Sequence, residues 1–353
     1  MTTFIFGHKN PDTDSVCSSI AFSYLKNELG GKTVPKVLGN INNETKFALN
    51  YFKVPVPSYL NDVRVRIKNI KYDKKAYISE TASINAAFKL MQKQNITAIP
   101  LIDDKKKLTG YVTLKEIARY LINGNKEIVH TKLDNIIETL NAKVITKFDD
   151  YISGDILIAG LQSKTIQKEV DLSPRDILIV GDRYKVLEYA IESHVKLIIL
   201  PLNVNLDKKI IKKAENNQIN IIASELDSFQ IANKILLSNF VKSININKSP
   251  ITINNEDYYN DFKNMIHRVN HSNYPVVNNK GECLGLIKLT GPNEYEKQKV
   301  ILVDHNNFAQ SVDGLDEADI LEIIDHHNIG DIGTTLPINF RSKPVGCTST
   351  MIY

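Results

Sequence analysis

The chain has 353 residues, 42% of them hydrophobic and 24% charged, a composition that excludes a disordered or collagen-like chain and a length beyond one ordinary domain of roughly 100–200 residues. The 44 Lys and Arg against 40 Asp and Glu leave a net charge of +4, too small an excess to indicate nucleic acid as a partner. Three scattered cysteines, Cys17, Cys283 and Cys347, make neither a disulfide framework nor a thiolate zinc cluster and fit a reducing compartment.

The N-terminus, MTTFIFGHKNPDTDS, lacks the basic and apolar regions of a signal peptide, and no apolar run approaches the roughly 20 residues of a membrane-spanning helix. The expected setting is cytoplasmic, with neither membrane nor nucleic acid as partner. Thr3 to Phe6 reads as a strand, followed by a polar turn and a helix over about residues 14–29, with Val16, Ile20 and Tyr24 on one face at the helical period. Strand, turn and helix open an α/β domain.

Two later segments repeat each other. AIPLIDDKKKLTGYVTL starts at Ala98 and NYPVVNNKGECLGLIKL at Asn273, and the spacing from Pro100 to Gly110 equals that from Pro275 to Gly285. Each follows an amphipathic helical pattern, Ile84, Ala87, Phe88 and Met91 in the first copy and Tyr259, Phe262, Ile266 and Val269 in the second. Two copies separated by other sequence predict paired modules, because a solenoid needs more repeats. Each apolar helix face needs a partner, so the two are expected to pack together. Between them, apolar runs at 156–159, 177–180, 197–200 and 219–223 alternate with helical patterns, which predicts a parallel sheet. The first theme then returns. A strand at 300–303 ends in Asp304-His305-Asn306, and another at 320–324, carrying Glu322, ends in Asp325-His326-His327. The chain is therefore expected to be α/β, with one parallel-sheet domain interrupted by an insert.

Three segments place acids and imidazoles just after a strand: His8, Asp12 and Asp14; Asp304; and Asp325, His326 and His327. Ligands bind at the carboxyl ends of strands in open α/β sheets, so neighbouring strands would bring these groups together. Carboxylates and imidazoles without thiolates suit Mn2+, Co2+, Fe or Zn. So many carboxylates repel one another unless cations lie among them, and two cations sharing one carboxylate would neutralise them and supply a hydroxide nucleophile. Taken singly, the same residues suit turns and caps: Asp12 and Asp14 beside Pro11 can end a strand and start a helix. Three such strand ends in one chain favour the metal centre.

The segments GHKNPDTDSVCSSIAFSYLK, LGNINNETKFALNYF, ILVDHN, ILEIIDHHNIGD and PVGCTSTMIY resemble the N-terminal domain of family II inorganic pyrophosphatases, a branch of the DHH phosphoesterase superfamily. Thr13, Ser15 and the PVGCT segment favour that branch over the DHH phosphodiesterases. The repeat resembles a pair of CBS modules, and the part around Gly181-Asp182-Arg183 resembles a DRTGG domain, in the order of the nucleotide-regulated pyrophosphatases. The resemblance implies a DHH domain over 1–60 and 299–353, CBS-like modules over 61–125 and 237–298, and a DRTGG-like domain over 126–236. It implies metal-dependent hydrolysis of pyrophosphate to two phosphates in a cytoplasmic homodimer, with two Mn2+ or Co2+ ions, Mg2+ on the substrate, and AMP, ADP or ATP as regulators. It further implies His8 and Asp12 on one metal, Asp14 and His326 on the other, and Asp304 bridging both. His327 would act on the phosphate, and Asp325, His305 and Asn306 would orient the ligands. In the CBS modules it implies Thr113 and Glu116 at the ribose and Tyr274 at the nucleotide.

Some positions depart from the family pattern. Glu116 stands where Asp is more usual, and Pro201-Leu202-Asn203 stands in place of Thr-Gly-Gly. Asn270, His271, Ser272 and Asn273, with Arg268 upstream, replace a run richer in arginine, which weakens phosphate binding because charge-assisted bonds are the strong ones. The family pattern continues past Tyr353 with a further Asp ligand and a DHHA2-type domain whose Ser-Arg-Lys-Lys-Gln motif holds the substrate. The chain is thus expected to be a truncated and poorly active form, with Arg341 and Lys343 as ordinary surface charge. A DHH-family nucleotide phosphodiesterase and a non-catalytic nucleotide-sensing or dimerisation fragment are the alternatives.

Overall fold

Phe4, Ile5 and Phe6 pair in parallel register with Val300, Ile301 and Leu302, so the strand that opens the chain lies beside one almost three hundred residues later. The computed structural model describes residues 2–123, 128–244, 246–266, 273–288, 295–334 and 336–353. They divide into two units, one of Met1–Lys71, Asn254–His271 and Leu289–Tyr353, the other of Tyr72–Ile253 and Ser272–Lys288.

The first unit holds a six-stranded, fully parallel sheet in the order Asn339–Ser342, Asp319–Asp325, Lys299–Val303, Thr3–Phe6, Thr33–Val37 and Ser58–Tyr59. Successive residues face opposite sides of a strand. Phe6, Val300, Leu302 and Ile323 accordingly form one core, while Ile5, Ile301, Val303 and Ile324 form the other with Phe22 of the Thr13–Glu28 helix. From the central pair the chain leaves in opposite directions, towards Thr33–Val37 on one side and Asp319–Asp325 on the other. A sheet opens a ligand crevice at such a reversal of strand order.

The Thr13–Glu28 helix does not bury the face expected of it. Val16 is buried, but Tyr24 is 68% exposed, and the packed face is Ser15, Val16, Ser18, Ser19, Phe22 and Ser23. Small hydroxyl side chains let the helix approach the strand closely. Glu322 lies buried within its strand, its carboxylate 2.7 Å from Lys26 Nζ on the same helix.

In the second unit a six-stranded sheet runs Ile128–Lys132, Tyr151–Ile158, Asp176–Ile179, Leu197–Leu200, Asn220–Ala223 and Lys143–Thr146. Its four central strands are parallel, as the alternating apolar runs predict, and its two edges are antiparallel. The sequence repeat is a structural repeat. Pro100 pairs with Tyr111 and Pro275 with Leu286, and each antiparallel ladder shifts register just after, at Leu101/Ile102 and Val276/Val277. Leu286 of the second copy joins the core built by Ile84, Ala87, Met91 and Ile99 of the first. Phe88, expected on that face, is 38% exposed, and Val269 lies outside the described residues. Among the described residues, no helix is long and apolar enough to cross a membrane.

Candidate metal centre

The strand registers bring three carboxyl ends to one edge: Phe6 opposite Leu302, and Val303 opposite Ile324. Gly7 follows the first. A Cβ there would lie 1.7 Å from Ser15 Oγ and 2.8 Å from Ser15 Cβ, so only glycine permits this approach of strand to helix. Ser15 Oγ accepts from the His8 N–H at 3.1 Å, and Asp12 caps the helix by accepting from the Ser15 N–H at 2.9 Å. Asp304 follows the second strand with φ +60, a left-handed conformation uncommon outside glycine. Its N–H donates to Ile324 O at 2.9 Å.

Asp304 is the hub of the cluster. Its Oδ2 lies 3.5 Å from His8 Nε2, and its Oδ1 lies 3.4 Å from His326 Nε2 and 3.8 Å from His327 Nδ1. His8 Nε2 is 3.9 Å from Asp12 Oδ1, and His326 Nε2 is 3.9 Å from Asp14 Oδ2. Two donor sets result, His8, Asp12 and Asp304 on one side and Asp304, His326 and His327 on the other, each with ligand atoms within 4.8 Å of one another. Asp304 is 1% exposed, and its Oδ2 has no hydrogen-bond donor among the described residues. The His8 imidazole is a charge partner at 3.5 Å but stands too far away for a full hydrogen bond. Burial, reinforced by the carboxylates of Asp14 and Asp12, raises the Asp304 carboxyl above its ordinary range, while Asp304 in turn raises His8. This donor set, all carboxylate and imidazole around an oxygen with no donor, fits a hard or borderline divalent cation.

Around the hub, the remaining contacts fix ring orientations. His326 Nδ1 lies 3.0 Å from Val345 O, so its N–H donates there and Nε2 keeps its lone pair for a ligand. His327 Nδ1 lies 2.8 Å from Asp325 Oδ1. Asp325 is fully buried, and its other oxygen accepts from Asn306 Nδ2, which also donates to Asn328 O at 3.0 Å. Asn306 and Asp325 thus form a chain ending at His327.

His305 is expected to orient the ligands. Its ring bonds Val303 O, just before Asp304, and Ser311 Oγ, each at 3.0 Å, and contacts none of the candidate ligands directly. Burial pushes it down to about 4, so it is a neutral packing residue that ties the strand end to the following turn.

Asp14 is more heavily engaged than a free ligand would be. It accepts from Thr348 N at 2.6 Å, Ser349 N at 2.8 Å, Ser349 Oγ at 2.6 Å and Ser18 Oγ at 3.1 Å. Burial alone would raise this carboxyl, but these bonds hold it below its ordinary value. Thr348 also donates from Oγ1 to Asp304 Oδ1 at 3.1 Å. Thr348 and Ser349 escape the sequence reading as site residues. The available signal was a hydroxyl pair, Cys347-Thr348-Ser349, opening a short helix.

Thr113 and Glu116, expected at the ribose, are hydrogen-bonded to each other. Glu116 Oε2 accepts from Thr113 N at 2.6 Å and Thr113 Oγ1 at 3.0 Å, and Glu116 N donates back to Thr113 Oγ1 at 3.3 Å. The pair therefore caps the Leu114–Asn123 helix reciprocally. Tyr274 is 1% exposed within the Asn273–Val277 strand. Asn273 Nδ2 donates to Thr97 Oγ1 at 3.3 Å, and Thr97 O accepts from Leu114 N at 2.9 Å, which links the second copy to the Thr113 turn of the first. Arg268, Asn270, His271 and Ser272 lie outside the described residues.

The sequence profile described as the DHH family, N-terminal domain, matches residues 2–353. The chain belongs to the DHH family, in the family II pyrophosphatase branch that carries a CBS and DRTGG regulatory region. It is 34% identical over 356 residues to the cobalt-dependent inorganic pyrophosphatase of Clostridium perfringens and 30% identical over 357 residues to a probable manganese-dependent inorganic pyrophosphatase of Thermotoga maritima. Each match covers 99% of this chain but 64% of the relative. The crystal structure of the CBS and DRTGG domains of the regulatory region of Clostridium perfringens pyrophosphatase, complexed with the activator diadenosine tetraphosphate, is similar over 64% of this chain and 100% of that one, with a TM-score of 0.58 and 26% identity.

Proposed function

We propose that the protein hydrolyses inorganic pyrophosphate to two phosphates at the cluster centred on Asp304. In this reading two Mn2+ or Co2+ ions are its cofactors, Mg2+ accompanies the substrate, and adenine nucleotides regulate it through the CBS pair of a homodimer. The observation that carries this reading is the buried Asp304 Oδ2, which lacks a donor among the described residues while imidazoles approach its carboxylate from two other strand ends. A buried charge of this kind is costly unless paired, and a cation is the partner that its donor set fits.

His8 and Asp12 would hold one ion with Asp304, and Asp14 and His326 the other. When bound, such ions supply Lewis acidity towards phosphoryl oxygens. The protein's own part is positioning. Val345 O fixes the His326 tautomer, and Thr348 holds the Asp304 carboxylate by the oxygen that does not face His8. Asp325, anchored by Asn306, holds the half-exposed His327 by Nδ1. Nε2 of His327 is then left for a phosphoryl oxygen, to which the ring, as the imidazolium, would give a hydrogen bond or a proton. The names of the relatives support pyrophosphate as substrate, and the activator bound by the Clostridium perfringens regulatory region supports an adenine nucleotide as regulator.

Calorimetric titration of Mn2+ and Co2+ into EDTA-treated protein tests the metal centre, and phosphate release from pyrophosphate, set against a nucleotide phosphodiester, tests the substrate. A folded protein that binds neither ion sinks the first reading. A metal-loaded protein that prefers the phosphodiester sinks the second.

A further inference from the structure

We propose that the face of residues 61–69 is an anion-binding site separate from the metal centre, with Arg64 as principal ligand for a small phosphate-class oxyanion. The sequence Asn61-Asp62-Val63-Arg64-Val65-Arg66-Ile67-Lys68-Asn69 alternates apolar and charged residues. Val63, Val65 and Ile67 are buried, whereas Arg64, Arg66 and Lys68 all reach one cleft. The cleft has a volume of about 410 Å³, and Phe4, Asp62, Asn69 and Gln298 also line it.

The three cations are not equivalent. Arg66 donates to Asp62 Oδ2 at 3.0 Å, to Tyr258 Oη at 3.2 Å and to Glu256 O at 3.0 Å. Lys68 Nζ lies 2.7 Å from Glu256 Oε2. Asp62, itself 6% exposed at the side chain, is spent on Arg66, on the Tyr258 hydroxyl at 3.0 Å and on the Arg64 N–H at 3.2 Å. Among the described residues, Arg64 is the one of the three whose side-chain donors have no acceptor. Its Nε is buried without a hydrogen-bond partner, and the nearest carboxylate oxygen stands 4.0 Å away.

The guanidinium is nevertheless held in place. Its Cζ sits 3.6 Å from the centre of the Tyr258 ring, and its stem rests on Gly314, where a Cβ would come within 2.1 Å of Arg64 Cγ. A planar cation, stacked on an aromatic ring and backed by a glycine, with none of its five donors used among the described residues, is arranged for a bidentate oxyanion. Asn61, Asn69 and Gln298 line the same cleft, the Gln298 amide donating to Thr2 O at 2.8 Å and Lys299 O at 3.0 Å. Glu296, exposed, is the one carboxylate lining it that is not committed to a neighbour among the described residues.

The test uses the whole chain in EDTA, so that the metal centre contributes no cation. Inorganic phosphate, tripolyphosphate and citrate are titrated calorimetrically, with NaCl at matched ionic strength as the blank. Phosphate or tripolyphosphate should bind, and Arg64→Gln should weaken binding by about tenfold or more, the loss of a charge-assisted pair. Arg64→Lys should recover only part of it, since it restores the charge but not the fork. Unchanged Mn2+ affinity in both variants establishes that they are folded. Absence of heat with every anion in the folded wild type overturns the proposal, as does equal affinity in wild type and Arg64→Gln. Binding of citrate alone overturns the phosphate class.

Discussion

Asp304→Asn separates a residue kept for a cation from one kept for the fold. Asparagine preserves the shape of the side chain and the acceptor for Thr348 Oγ1, but it removes the charge. In the metal-free protein that charge is buried, 1% exposed, and raised in pKa first by burial and then by the carboxylates of Asp14 and Asp12. Its loss should therefore leave the metal-free protein at least as stable as wild type, with an unfolding midpoint unchanged or higher. With Mn2+ the sign reverses. Removing one partner of a buried ion pair costs about 3–5 kcal/mol, equivalent to roughly 150- to 4,000-fold in dissociation constant. Because Asp304 belongs to both donor sets, both metal sites should weaken rather than one. Urea unfolding in EDTA and Mn2+ titration of the same preparation give the two numbers. A variant that binds Mn2+ within threefold of wild type refutes the reasoning. A variant clearly destabilised in EDTA with intact metal binding refutes it more deeply, because Asp304 would then be a structural acceptor for Thr348.

Three further outcomes follow from the same geometry. Gly7→Ala should cost about 2–4 kcal/mol, combining overpacking against Ser15 with loss of the buried acceptor for the His8 N–H, and Ser15→Gly should restore part of it in urea unfolding of the double variant. Asp325→Asn should lower pyrophosphate hydrolysis or metal affinity by about 10–100-fold while leaving the fold intact by circular dichroism, because it loosens His327 rather than the sheet; wild-type values in both assays would remove Asp325 from the site. Cys283, buried and pushed up from 9.0 to about 11, should resist iodoacetamide at pH 8 in the native protein and react once unfolded. A thiol raised on folding contributes stability that is present below pH 9 and lost as pH rises towards 11, about 3 kcal/mol in all, and a flat alkaline stability profile would contradict this.

The sheet was legible because its signals are local. Short apolar runs that end in Asp and His mark strands and their carboxyl ends whatever surrounds them, and the shared Pro–Gly spacing carried the repeat down to its matching register shifts. Helix faces were less legible. Tyr24 and Phe88 fall on the apolar stripe by spacing but are exposed, while Ser15, Ser18, Ser19 and Ser23 are buried. Hydropathy ranks serine as a surface residue, and the close approach at Gly7 reverses that. Thr348 and Ser349 could not be found locally at all, since their meaning comes from Asp14 more than three hundred residues away. Asp-His-Asn after one strand looks like Asp-His-His after the next, and the burial of the His305 ring against Val303 and Ser311, which separates it from the candidate ligands, is not visible in the sequence.

Capping and coordination are not competing roles for these carboxylates. Asp12 uses Oδ1 to cap the Thr13–Glu28 helix, and that same atom lies 3.9 Å from His8 Nε2. Asp14 ties the helix at Ser349–Ile352 to the sheet edge while its Oδ2 stays 3.9 Å from His326 Nε2. A carboxylate oxygen has two lone pairs, so an N–H can hold one and fix the direction of the other. The folded backbone thereby aims Asp12 and Asp14 before any ion arrives, which lowers the cost of ordering them on binding. Asp304 is different. Among the described residues it accepts a single hydrogen bond, from Thr348, and its second oxygen has no donor. Capping accounts for Asp12 and Asp14 without a metal, whereas it leaves Asp304 Oδ2 unexplained. The weight of the metal reading therefore rests on that oxygen, and on the left-handed residue at the strand end that presents it.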